Sequence, residues 1–170
     1  MSTFSDKEKR ATTDGLPPRP GFEDASAPAP TRADGQHEAY WVISAEERAK
    51  GFVRPVRRSY QHVGARGPQH QMRELSAAER ERYAQFGYVK FEPYPEGESP
   101  VTGRYWTQAD LDRVGAGCGT VTTMGLAIAE TYARDPAFYG ATFCCGCGRH
   151  LPVGEAGEFV WTGSNERVGT

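Results

Sequence analysis

Long apolar runs are missing from this chain. No stretch approaches the roughly 20 consecutive apolar residues that a membrane-spanning helix requires, so no membrane partner is expected. The polar opening MSTFSDKEKRATTDG lacks the apolar core of a secretory signal, which leads to the expectation of a reducing, cytoplasmic location. Cysteine is scarce: four in 170 residues are too few for a secreted disulfide scaffold. Net charge is only −2 with a pI near 6.1, so the chain as a whole exerts no pull toward nucleic acid or anionic lipid. Apolar residues make up only 38% and mean hydropathy is −0.64, while 20 glycines and 12 prolines interrupt the pattern. A core that small gains from a structural metal.

The proline-rich stretch LPPRPGFEDASAPAPTRADG has little to bury, so residues 1–38 are expected to form a disordered arm. Such an arm can order on a protein partner, with Phe22 and the run Tyr40, Trp41, Val42, Ile43 as anchors. Residues 39–170 are expected to form a single zinc-binding α+β domain. In it, Ser44 with Glu47 and Ser76 with Glu79 have the spacing of helix-initiating capping boxes, and Gly51 and Gly87 stop the helices that follow. The segment FVRPVRRSYQHVG reads as extended but is broken by Pro55, which suits an edge or a surface path. YVKFE alternates like a half-buried strand. In TTMGLAIAETYARDP, Met124, Ala127, Ile128, Thr131 and Tyr132 fall on one helical stripe that Asp135-Pro136 terminates. GATFC and EFVW are expected to pair as a C-terminal hairpin with cysteines at its tip.

The run ATFCCGCGRHLP gathers three cysteines and a histidine within seven positions. Cys144-x-x-Cys147 has the spacing of a zinc knuckle, and its flanking glycines let backbone N–H groups face the sulfurs. Cys118, in its own glycine turn GAGCG, is the expected third ligand. A Cys3His shell then needs one histidine, His150 by local reach or His62 if its strand lies beside the knuckle. Cys145 is left a free thiol, since a bridge between adjacent cysteines strains disulfide geometry. The competing readings are incidental buried cysteines and a redox C-x-x-C, although the latter opens a helix in thioredoxin-like proteins, whereas this motif closes a hairpin.

GAGCGTVTTMG also resembles a phosphate-cradling turn. No lysine follows the glycines as a P-loop requires, and Met124 stands where a cysteine phosphatase carries arginine. An anion site at the N-terminus of the following helix stays open. The stretch RAKGFVRPVRRSYQHVGARG interleaves Arg54, Arg57, Arg58 and Arg66 with Tyr60, the pairing of phosphate contacts and stacking platforms used on single-stranded nucleic acid. The plainer reading is a solvated strand face, and arginine-rich surfaces also suit protein partners.

The run FCCGCGRHLPVGEAGEF is similar to the zinc-knuckle ends of phage recombination endonucleases of the VII type, in which a C-x-x-C precedes a proline and an aromatic. The likeness covers about a tenth of the chain. Those nucleases need histidines and acids beyond the knuckle, and after Trp161 only TGSNERVGT remains. More broadly, GCGTVTTMG, AETYARDPAFYGATFCCGC and ERVGT resemble small uncharacterised phage and metagenomic proteins. That resemblance implies a viral setting and allows a virion-associated location.

Together these features lead to the expectation of a small zinc-stabilised α+β fold acting as a binding or assembly module on a protein partner or larger assembly. Two alternatives stand beside it. One is a single-stranded nucleic-acid binder using residues 48–66, and the other is a zinc-dependent hydrolase or nuclease with an open metal position and Glu130 or Glu155 as base. No nucleophile and base pair can be assembled from the sequence.

Overall fold

The structure is a computed structural model that describes residues 10–13 and 30–170; the rest of the proline-rich segment, Phe22 included, lies outside the described residues. In chain order the elements are β1 (Arg10–Thr12), β2 (Trp41–Ile43), α1 (Ala45–Ala49), β3 (Ser59–His62), β4 (Arg73–Glu74), α2 (Ala77–Tyr83) and β5 (Tyr88–Pro93). They continue with β6 (Gly103–Thr107), α3 (Gln108–Asp112), β7 (Val121–Thr123), α4 (Leu126–Arg134), β8 (Ala141–Cys144), β9 (Arg149–Pro152) and β10 (Phe159–Trp161). The fold is α+β, with short helices and small sheets whose strand pairings are antiparallel. Among the described residues, no helix is long and apolar enough to cross a membrane.

The single domain expected over 39–170 divides into two compact units, one joining residues up to Val63 with Cys118–Thr170, the other spanning Gly64–Gly117. The physical reason is visible in the second unit, which has its own sheet, β4-β5-β6, and its own polar anchor. Glu92, 2% exposed, accepts the Gln69 N–H at 2.6 Å, the His70 N–H at 2.8 Å and the Trp106 indole N–H at 2.9 Å, so three donors converge on one buried carboxylate. The capping box read at Ser76 and Glu79 is present, and α2 ends in a 3-10 turn stopped by Gly87 at φ +74. A further box at Thr107 and Asp110 starts α3.

In the first unit, β3 lies between β10 and β7. It is therefore a central strand, where Pro55 suggested an edge; the proline falls before the paired residues, so no ladder N–H is lost. EFVW pairs with β3 and not with GATFC, because residues 145–148 form a four-residue turn that returns the chain at once as β9. Tyr60, Met124, Tyr132, Cys144, Phe159 and Trp161 belong to the core that these strands and α4 enclose. Tyr60 meets Phe159 edge-on at 5.4 Å and Tyr132 meets Trp161 edge-on at 5.8 Å, contacts that each contribute about 0.5–1.5 kcal/mol beyond area burial.

Part of the expected arm belongs to the described fold: Arg10–Thr12 pair with β2, and residues 30–38 are described as well. Residues 30–38 form a turn in which the Asp34 carboxylate accepts the Gln36 N–H at 3.0 Å, and Gly35, at φ +88, lies so close to the Gly148 carbonyl that a Cβ would sit 1.9 Å from it. Val42 and Ile43 are core residues, and the Ile43 N–H donates to Thr131 Oγ1 at 3.1 Å, so these two of the four expected anchors hold the fold itself, while Tyr40 and Trp41 are half-buried. Ser44 accepts the Glu47 N–H as read, and the Glu47 carboxylate is engaged by Lys50 and by Arg134 at 3.7 Å.

Candidate metal centre

Three separate chain segments deliver the four side chains that converge in the first unit. His62 ends β3, Cys118 stands in the glycine turn ahead of β7, Cys144 ends β8, and Cys147 lies in the turn between β8 and β9. The segments are locked by main-chain bonds: the His62 N–H donates to the Thr120 carbonyl at 3.1 Å, the Gly119 N–H to the His62 carbonyl at 2.9 Å, and the Gly148 N–H to the Cys144 carbonyl at 2.8 Å. Two glycines make the approach sterically possible. Gly148 takes φ +65 to close the knuckle. At Gly146 a Cβ would lie 2.3 Å from Thr120 Oγ1 and 3.0 Å from Cys118 Sγ, so the two turns can touch only where no side chain intervenes.

The ligand atoms of His62, Cys118, Cys144 and Cys147 all lie within 4.8 Å of one another and are close enough to bind one metal ion. His62 Nδ1 is 3.3 Å from Cys118 Sγ, 3.5 Å from Cys147 Sγ and 3.8 Å from Cys144 Sγ, and the Cys118 and Cys144 sulfurs are 3.5 Å apart. A tetrahedron with zinc–sulfur bonds of about 2.3 Å and a zinc–nitrogen bond of about 2.05 Å has edges of about 3.8 Å between sulfurs and about 3.5 Å between sulfur and nitrogen. The observed spacings are compatible with zinc without identifying it. All four cysteines are free thiols.

Behind the imidazole stands Glu158, 6% exposed, with Oε2 2.8 Å from His62 Nε2. The Cys118 N–H points at Nδ1 from 3.3 Å, which places a lone pair on Nδ1 and the proton on Nε2, facing the carboxylate. This is the tautomer and the carboxylate backing that a metal-bound histidine uses. The thiols do not share one acidity. Donation from the Thr120 hydroxyl and amide pulls Cys118 down to about 6, whereas burial, with Cys118 and Cys144 alongside, pushes Cys147 up to about 11. A cation placed beside Cys118 and Cys147 would favour the thiolate of both.

His150, the other histidine weighed from sequence, is not in this group. It pairs opposite Phe143 across β8 and β9, stacks on His37 at 4.0 Å, and sets Nε2 2.9 Å from Tyr40 Oη. Burial, then the neighbouring His37, lowers its pKa to about 4. Three residues after Cys147, it has already entered β9 and is carried away from the knuckle. Cys145 is exposed, its sulfur 3.3 Å from Thr122 Oγ1.

Four of the residues singled out for nucleic acid make contacts within the chain. Tyr60 is 2% exposed and donates its hydroxyl to the Phe143 carbonyl at 2.5 Å, so it offers no face to a base. Arg57 pairs with Glu166 at 2.6 Å, Arg58 donates to the Met124 carbonyl at 3.1 Å, and Arg54 donates to the Thr170 carbonyl at 3.3 Å. Arg66 belongs to the second unit. Glu130 pairs with Arg48 at 2.6 Å, and neither it nor the exposed Glu155 is in the ligand group. Glu158 is the residue that sequence reasoning missed. Its only signal was an acid placed directly before the apolar strand FVW, and its meaning depends on β10 pairing with β3.

No protein-family model, curated protein or solved structure matches the chain.

Proposed function

We propose that His62, Cys118, Cys144 and Cys147 hold one structural Zn2+ and that the protein is a zinc-stabilised binding module addressed to a protein partner. The observation that carries this reading is the near-tetrahedral spacing of one nitrogen and three sulfurs drawn from three segments, with Glu158 backing the imidazole. Four protein ligands fill a tetrahedral shell and leave no position for water or substrate, which favours a structural role over a hydrolytic one. The metal would tie β3, the turn before β7 and the β8–β9 knuckle together, a useful contribution in a unit whose strands are three or four residues long. Support for a protein partner comes from Phe52, Val53 and Val56, exposed among Arg54 and Arg57, a mixture of apolar and arginine side chains typical of recognition surfaces. The proline-rich segment 14–29 would add a second contact through its repeated prolines. A phage-borne setting would make that partner a virion or host protein.

Metal analysis by mass spectrometry, run beside thermal unfolding, tests the reading. One zinc per chain is expected, lost with a lowered unfolding midpoint in His62→Ala and Cys147→Ser and retained in His150→Ala. A metal-free natural chain, or full zinc content in both His62→Ala and Cys147→Ser, overturns it.

A further inference from the structure

Beyond the metal reading, we propose a second binding site, for a small monocarboxylate, in the cavity where helix α4 faces strand β8. The cavity measures about 90 Å3 and is lined by Met124, Ile128 and Phe143 on its apolar side and by the hydroxyls of Tyr60, Tyr132 and Thr142. At about 30 Å3 per water molecule, that volume matches an acid of two or three carbons.

Four hydroxyls around the cavity are committed to protein acceptors, and that of buried Tyr132 is not. Tyr60 donates to the Phe143 carbonyl at 2.5 Å, Thr142 to Tyr60 Oη at 3.4 Å, Tyr139 to the Trp41 carbonyl at 2.6 Å and Thr122 to Cys145 Sγ at 3.3 Å. Tyr132, 2% exposed, has no hydrogen-bond partner for its hydroxyl among the described residues. The Thr142 hydroxyl is near enough to favour the phenolate as a hydrogen-bonding neighbour, but its hydrogen bond goes to Tyr60. Packing against Tyr139 at 4.8 Å and the edge of Trp161 at 5.8 Å prevents the Tyr132 ring from swinging toward solvent. An unsatisfied buried hydroxyl is costly, so it calls for a ligand atom.

The geometry of α4 indicates which kind. Helical side chains lean toward the N-terminus, so Tyr132 points back along nine-residue α4 toward Gly125, which also lines the cavity. Gly125 is the N-cap and supplies no side-chain acceptor, leaving the first-turn N–H groups at the positive end of the helix dipole uncapped. Burial keeps the Tyr132 phenol protonated, a permanent donor. Donors and a partial positive charge converge, and the complementary ligand is an anion that accepts. Among the described residues no charged side chain lines the cavity, so one negative charge is matched better than the two of a phosphate, and the aliphatic and aromatic wall accommodates a short carbon tail.

The test is an NMR titration of the full chain with sodium acetate and sodium propionate at constant ionic strength, with sodium chloride and propionamide as controls. Saturable shifts are expected at the amides of Leu126, Ala127 and Ile128 with the carboxylates and not with either control. Tyr132→Phe should weaken binding by about ten-fold or more while leaving the unfolding midpoint unchanged or higher, since no protein bond is lost. Gly125→Asp, where an added Cβ meets nothing within 4 Å, should place its own carboxylate on the first turn, abolishing binding and raising the midpoint. The proposal is overturned by absence of saturable shifts in the natural chain, or by equal affinity in Tyr132→Phe. It is equally overturned if Tyr132→Phe clearly lowers the midpoint, the result expected were a buried water already satisfying the hydroxyl.

Discussion

Replacing Glu158 by Gln removes one negative charge from behind His62 while keeping the shape of the side chain and an oxygen able to accept from Nε2–H. Loss of a carboxylate partner to a metal-bound histidine typically costs about 10- to 100-fold in metal affinity. Because glutamine still orients the ring, the lower end applies, about ten-fold, or about 1.4 kcal/mol. With zinc held at a fixed free concentration well above its Kd, the same 1.4 kcal/mol disappears from the metal-linked stability, a fall of about 3–6 °C in Tm for a chain of this length. The metal-free form should lose less, since the charge of Glu158 then has no metal-bound imidazole to support. Competition against a chromophoric chelator gives the affinity, and paired melts of zinc-loaded and chelator-treated protein give the linkage. An unchanged affinity, or an equal fall of Tm in both forms, would refute the argument that Glu158 acts through the metal.

Gly146→Ala forces a Cβ to within 2.3 Å of Thr120 Oγ1 and 3.0 Å of Cys118 Sγ; the turns must separate, with an expected loss of about 2–4 kcal/mol and reduced zinc content, read by melting and metal analysis. His150 makes stability pH-dependent in a definite direction. The unfolded chain takes up this proton near 6.5 whereas the folded chain resists until about 4, so its contribution is complete above about pH 6.5 and lost as pH falls toward 4. The full shift would be worth over 3 kcal/mol, but the ring is half-exposed and screening reduces this to about 1–2 kcal/mol. Denaturant unfolding between pH 4 and 7 should therefore show a shallower slope in His150→Gln, and identical slopes would refute the assignment.

The helices were legible because their signals are local. Ser76 with Glu79 and the glycine at 87 fix α2 through contacts three or four residues apart, and Asp135-Pro136 ends α4 for the same reason. The strands were less so. EFVW was assigned to the wrong partner because alternation of side chains marks a strand without naming its neighbour, and β7, three residues long with two of them exposed, left no usable pattern. Tyr60 shows the same limit at the level of one residue: among arginines it resembles a stacking platform, and only the pairing of β3 on both sides buries it.

For the candidate metal centre, the sequence alone pointed to the ligand chemistry. Cys144-x-x-Cys147 can present two sulfurs to one point because both lie across a single glycine-bearing turn, and no distant contact is needed to know it. Cys118 could be named as a third ligand from its residue type and glycine setting. The choice between His62 and His150, and the entry of Glu158, belonged to the tertiary structure. His62 is 82 residues from Cys144 and Glu158 is 96 residues from His62, and both arrive only through the register of β3 against β10 and the lock between His62 and the turn at Gly119 and Thr120. His150, nearer in sequence, is carried away because the backbone bonds of β9 against β8 direct it toward His37 and Tyr40. Proximity along the chain decides what a turn can bind, and strand pairing decides which distant side chain completes the shell.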